Sequence, residues 1–96
     1  MVTRWSPVAI KQLQKAYKYI KKHSLQNAEK IRNEIVAVTT SPGPHAERFP
    51  PDKYKQNNDG NYRAFELHCY MISYKIMKDE ILIVRLRHTS MSPLSY

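Results

Sequence analysis

Apolar residues recur at helical spacing early in the chain, at Ile10, Leu13, Tyr17 and Ile20, directly after a Ser6-Pro7 pair that reads as an N-cap and a first helical residue. Lys11, Lys15, Lys18 and Lys22 repeat with the same spacing but an offset. At about 100° per residue the two stripes lie roughly 150° apart, so one face packs and the opposite face is cationic. The pattern breaks near His23-Ser24, and a second stripe of Ala28, Ile31, Ile35 and Val38 follows until Thr39-Thr40-Ser41-Pro42-Gly43-Pro44 ends it. The spacing predicts two helices joined by a tight link, an antiparallel hairpin. Val2 to Trp5, ahead of the first helix, is compatible with a short strand.

The period then changes. Pro44, Pro50 and Pro51 cannot donate ladder hydrogen bonds, so Pro44 to Asp52 reads as a loop over the surface or along a sheet edge, with regular structure resuming near Lys53. Asn57 to Asn61 is a turn cluster. Tyr62 to Ile76 is rich in aromatic and β-branched residues with a break expected near His68-Cys69, and a second turn at Lys78-Asp79-Glu80 precedes a strand from Ile81 to His88. A helical hairpin followed by an antiparallel meander predicts an α+β fold, with both helices on one face of a curved antiparallel β-sheet. Strict alternation along the last strand would put Leu82, Val84 and Leu86 under the helices and leave Arg85 and Arg87 on the open face, available to a ligand.

Length and charge narrow the picture. Ninety-six residues suit one domain, spanning 1–96, with one modest core. Sixteen Lys and Arg against eight Asp and Glu leave a formal charge of +8, and Met1 to Ala28 contains no acid at all. That imbalance suits a polyanion or an acidic protein partner. One cysteine, Cys69, permits no internal disulfide, and no Cys/His spacing suggests a metal site, so neither a metal nor a small-molecule cofactor is expected. No run approaches the roughly 20 apolar residues that cross a bilayer, nor is there an N-terminal signal-type run; no membrane partner and a cytoplasmic location are the expectation.

Candidate chemistry concentrates in the last sixteen residues, Ile81 to Tyr96. Arg85 and Arg87 end an apolar strand, and their planar, permanently charged guanidinium groups suit phosphate oxygens, unless they pair across the sheet with Glu66 or Glu80. His88 brings an imidazole, a group suited to proton transfer, though a histidine at a strand end is also a common structural residue. Lys53 and Lys55, two apart, would share a face if extended and orient a nucleic-acid backbone, or else remain solvated charges beside a loop. His23, His45 and His68 are too scattered to form a site.

In order and spacing, Trp5-Ser6-Pro7 before a lysine-rich helix, Ser41-Pro42-Gly43 after a second helix, Gly60-Asn61-Tyr62-Arg63, Tyr70-Met71-Ile72-Ser73-Tyr74 and Arg87-His88-Thr89 near a C-terminal Tyr resemble the RelE/ParE superfamily of toxins from type II toxin-antitoxin systems. The resemblance implies a cognate antitoxin, and one of two targets: mRNA in the ribosomal decoding site, as in the RelE branch, or DNA gyrase, as in the ParE branch. Ribosome-dependent endonucleolytic cleavage of mRNA is the favoured expectation, gyrase inhibition the second, and a non-toxic antitoxin-binding relative the third. Cleavage by attack of a ribose 2′-oxygen requires a base, an acid and cations around one phosphate. With the resemblance, Arg63 and Arg87 are expected to stabilise phosphate charge, His88 or Tyr96 to handle protons, and Lys53 and Lys55 to bind RNA, with Arg85 added to the RNA-binding set for its guanidinium at the strand end. These assignments require that guanidinium groups from two neighbouring sheet segments converge on one pocket for an anion beside the carboxy terminus. One departure opposes a nuclease: family members commonly carry a tail arginine where this chain has Ser90, Met91 and Ser92.

Overall fold

The computed structural model describes residues 2–40 and 43–96, the last of these without the side chains of residues 43–45. The chain runs β1 (Val2–Trp5), α1 (Pro7–Lys21), α2 (Leu25–Thr40), a 3-10 turn (Gly43–Arg48), β2 (Tyr62–Leu67), β3 (Tyr70–Ile76) and β4 (Glu80–His88). The four strands form one sheet in the order β1-β4-β3-β2. The meander β2-β3-β4 is antiparallel as expected, but β1 adds to β4 in parallel, so the sheet is mixed. Ser41 and Pro42, part of the expected helix stop, lie outside the described residues.

Local chemistry explains the helix starts. Ser6 is extended, and its Oγ accepts from the Ala9 amide at 3.1 Å, satisfying one of the free N–H groups of the first turn. Ser24 Oγ does the same for Asn27 at 3.1 Å, which fixes the tight link before α2. Both helices pack on one sheet face. Ala9 and Ala16 are buried, with Leu13 and Ile20 packed beside them, so α1 approaches the sheet closely through its two alanines. On α2 the buried positions are Ala28, Ile35 and Thr39, not the expected Val38, which is exposed. Thr39 tolerates burial because its hydroxyl donates to the carbonyl of Ile35 at 2.8 Å.

The core face of the sheet is Tyr70, Ile72 and Tyr74 on β3 against Ile81, Ile83 and Leu86 on β4. Here strict alternation fails. Ser73 pairs with Arg85 but Tyr74 pairs with Ile83, so Val84 is an extra residue, a β-bulge. Before the bulge the odd-numbered Ile81 and Ile83 face the helices; after it the even-numbered Leu86 does. Leu82 and Val84, expected beneath the helices, are only partly buried. The bulge lies where β1 gives way to α1, and the backbone groups freed there are satisfied by side chains. Ser6 Oγ donates to the Val84 carbonyl at 3.3 Å, and Gln12 Oε1 accepts from the Leu86 amide at 2.6 Å.

Segment 49–56 wraps the free edge of β2, and regular structure does not resume at Lys53. Phe49 stacks on Phe65 at 4.6 Å on the helix side. Pro51 bridges Arg63 at the edge, with the Asp52 amide donating to the Tyr62 carbonyl at 2.9 Å. Asp52 then turns onto the opposite face. Two prolines on an otherwise open strand edge also oppose edge-to-edge association.

Candidate functional site

The face away from the helices is not bare. Cross-strand pairing places Tyr62 with Lys75, Ala64 with Ser73, Ser73 with Arg85, and Met71 with Arg87. Over this floor lie segment 52–56 and an arm formed by residues 89–96. The arm is pinned by main-chain bonds, from the Tyr96 amide to the Tyr54 carbonyl at 3.0 Å and from the Gln56 amide to the Tyr96 carbonyl at 2.6 Å. Its side chain is pinned as well: Tyr96 Oη donates to Asp52 Oδ2 at 2.5 Å.

Asp52 organises this corner. It is buried, and its Oδ1 accepts from the Tyr54 amide at 3.0 Å. Burial alone would raise its pKa, but hydrogen bonds from Tyr96, the Tyr54 amide and Ser73, with the charge of Arg85, hold the carboxyl below its ordinary value of 3.8. Tyr96 is driven the other way, first by burial and then by its bond to Asp52, so its phenol keeps its proton throughout the neutral range. Nearby, Asn58 clamps the Tyr62 main chain, donating to its carbonyl at 2.9 Å and accepting from its amide at 3.2 Å.

Cations and rings interleave on this face. Arg85 lies over the Tyr96 ring at 4.1 Å, and Arg87 and Lys53 each lie 5.3 Å from the Tyr54 ring. Lys55 is 4.7 Å from the Tyr62 ring and 5.6 Å from that of Tyr96, and Lys75 is 5.5 Å from Tyr62. Arg85 donates to the Leu94 carbonyl at 2.6 Å and Arg87 to that of Met91 at 3.4 Å. Neither has a carboxylate partner among the described residues; Glu80 pairs with Arg4 at 2.8 Å instead. The Nε atoms of both arginines are buried without an acceptor.

Five of the seven expected site residues therefore gather on the open face: Lys53, Lys55, Arg85, Arg87 and Tyr96. Two do not. Arg63 pairs with Tyr74 on the helix side of the sheet, where its Nε donates to Gly60 at 2.8 Å and its Nη1 to Glu47 at 3.0 Å and Phe49 at 2.9 Å, all backbone carbonyls. His88 pairs with Tyr70, also on the helix side, where the rings meet edge-on at 5.1 Å. Its Nδ1 accepts from the Ser90 amide at 3.1 Å, which in the neutral ring leaves the proton on Nε2. A cleft of about 410 Å³ lies beside it, between α1 and the ends of β3 and β4, lined by Lys15, Tyr19, Tyr70, His88 and Met91 among others. So the expected convergence of Arg63 with Arg87 is not what the fold provides. Asp52, Tyr54, Tyr62 and Lys75 belong to the face but were missed in the sequence. The one signal for Asp52 was its place after two prolines and before Lys-Tyr-Lys.

A family model described as "ParE toxin of type II toxin-antitoxin system, parDE" matches residues 3–93. The chain belongs to this ParE toxin family. Among solved structures it is similar to a chain described as "Chromosomal ParDE TA system from P. aeruginosa", with TM-score 0.71 and 18% identity over 94% of this chain and 97% of that one. That likeness supports the shared fold. No curated protein matches the sequence. Membership of a ParE toxin family implies a cognate antitoxin as partner. No helix among the described residues is long and apolar enough to cross a membrane, and no group of three or more His, Cys, Asp or Glu among them is placed to hold a metal ion.

Proposed function

We propose that this ParE-family toxin arrests growth by binding DNA gyrase, and not by cleaving mRNA. The observation that carries the reading is the separation of Arg63 and His88 from Arg85, Arg87 and Tyr96 by the thickness of the sheet. Cleavage needs an acid, a base and cations within hydrogen-bond reach of one phosphate. Here the guanidinium of Arg63 is engaged by three carbonyls, and the imidazole points to the helix side. Tyr96, on the cationic face, is held protonated against Asp52 and is poorly suited to exchange protons near neutrality. A toxin that acts by binding has no need of such a centre. Ser90-Met91-Ser92, in place of a tail arginine, points the same way.

Ribosome-dependent mRNA cleavage retains one point of support, the gathering of Lys53, Lys55, Arg85, Arg87 and Tyr96 on a single face. Expression of the chain without an antitoxin separates the readings. The gyrase reading expects DNA breaks that disappear when gyrase carries a toxin-resistant substitution, with full-length mRNA throughout. Truncated transcripts with intact DNA would overturn it, and unimpaired growth would leave only an antitoxin-binding relative.

A further inference from the structure

The cleft between α1 and the ends of β3 and β4 lies on the helix side of the sheet, apart from the cationic face, and we infer that it is a binding site for a small aromatic carboxylate. Its volume of about 410 Å³ suits a compact ring-bearing molecule. The floor is apolar: Ala16, Tyr70 and Leu86 are each at least nine-tenths buried. Tyr19 and Met91, both 59% exposed, add a phenol ring and a flexible thioether at the rim.

The hydrogen-bonding groups left over in this cleft are donors. Gln12 commits its carbonyl oxygen to the Leu86 amide at 2.6 Å, which leaves its NH2 group to give. His88 accepts at Nδ1 from the Ser90 amide, which leaves the Nε2 proton to give. Lys15 has no carboxylate partner among the described residues. Tyr70 is the most telling: it is only 6% exposed and its hydroxyl has no partner among the described residues, yet unlike the Nε atoms of Arg85 and Arg87 that oxygen is not sealed from solvent. A hydroxyl so placed is rarely left unpaired. No carboxylate lines the cleft, so a carboxylate is what these donors select in a ligand. Arg87 also borders the cleft, but its guanidinium lies toward the Tyr54 ring on the open face, which leaves Lys15 as a single cation and favours a singly charged acid over a phosphate. An extended peptide would need main-chain partners. The amides of Leu86, Ser90 and Met91 are already satisfied, by Gln12, by His88 Nδ1 and by the His88 carbonyl, so the cleft offers it none of these.

Titration of the isotope-labelled full-length chain with indole-3-acetate, ionised at neutral pH and followed by amide NMR, tests the proposal.

Saturable movement is expected at the amides around Gln12, Lys15, Tyr19, Tyr70 and His88, with a Kd of about 0.1–1 mM. Indole-3-acetamide, which keeps the shape without the charge, and hexanoate, an acid without a ring, should each bind at least about fivefold more weakly. Tyr70→Phe removes the hydroxyl and keeps the ring, and should weaken the acid about tenfold. Lys15→Met, at an exposed position, should weaken it about threefold and leave the acetamide unchanged, while Lys11→Met, on the same helix outside the cleft, should alter neither. Absence of saturable movement up to about 10 mM, equal affinity for acid and acetamide, or movement centred on Tyr54 and Tyr62 would overturn the proposal. Tighter binding at the same amides by adenosine monophosphate would overturn it in favour of a phosphate, and by a short acidic peptide in favour of a protein tail. Neither gyrase nor ribosome enters this assay, so its outcome is independent of the gyrase reading.

Discussion

The two faces of one four-stranded sheet use the same residue types for opposite ends. On the helix side, Tyr74 is fully buried with its hydroxyl donated to the Ala46 carbonyl, burial pushes its pKa up to about 12, and Arg63 ties three loop carbonyls together. On the open side, tyrosines keep part of their rings accessible, and Arg85 and Arg87 retain unpaired donors. The helix face is saturated and therefore scaffold; the open face keeps accessible rings and cations that have no carboxylate partner among the described residues. Residue type alone does not assign a role: what matters is whether the side chain's bonding capacity is already met.

Substitutions that treat the faces alike should reveal how different they are. The largest effect is expected at Ile72, fully buried at the centre of the helix face: Ile72→Ala should cost about 2–5 kcal/mol in urea unfolding. Arg63→Ala comes next. Loss of a charged donor to three carbonyls should cost about 2–3 kcal/mol, and Arg63→Lys should not restore it, because an ammonium cannot reproduce the fork. Arg87→Ala, on the open side, should cost less than about 1 kcal/mol by the same measurement. If Arg63→Ala is as mild as Arg87→Ala, the division between scaffold and open face fails.

An effect between those of Arg63→Ala and Arg87→Ala tests how firmly the arm is held. Tyr96→Phe leaves one Asp52 oxygen without its donor and should cost about 1–2 kcal/mol. The pH dependence has a definite sign. Asp52 is held below 3.8 when folded, so its contribution is fully present above that value and is lost as pH falls through the lower folded value. Acid titration followed by tyrosine fluorescence should therefore show the arm loosening below about pH 4 in the wild type, with a flatter response in Asp52→Asn. The smallest effect belongs to the hairpin where the two faces meet. His68 and Cys69 occupy the left-handed region with φ of 52° and 66°, and since the His68 ring also contacts Glu34, the clean test is Cys69→Gly alone, which should stabilise by about 0.5–1 kcal/mol.

Most of the fold was legible because its signals are local and periodic: the Ser6-Pro7 entry, the two apolar stripes, and turn residues at Asn57–Asn61 and after Ile76. The site was less so, and the reason is parity. A single bulged residue, Val84, exchanges the two faces of β4 midway. Alternation read backwards from Arg85 therefore placed the arginines correctly but put Leu82 and Val84 on the wrong side. Arg63 misled for a related reason, since its type and its neighbours Gly60-Asn61-Tyr62 suit a phosphate ligand, while its register opposite Tyr74 turns it toward loop carbonyls. Asp52 and Tyr96 are 44 positions apart in sequence, and no local pattern announces a hydrogen bond between them.

The gyrase reading meets its most direct test in a purified system containing gyrase, supercoiled plasmid, ATP and the full-length chain. The account predicts that linear plasmid accumulates with increasing chain and is unaffected by His88→Ala, while a ribosome programmed with mRNA and given the same protein keeps its transcript whole. Intact plasmid together with mRNA cut in the decoding site would contradict it.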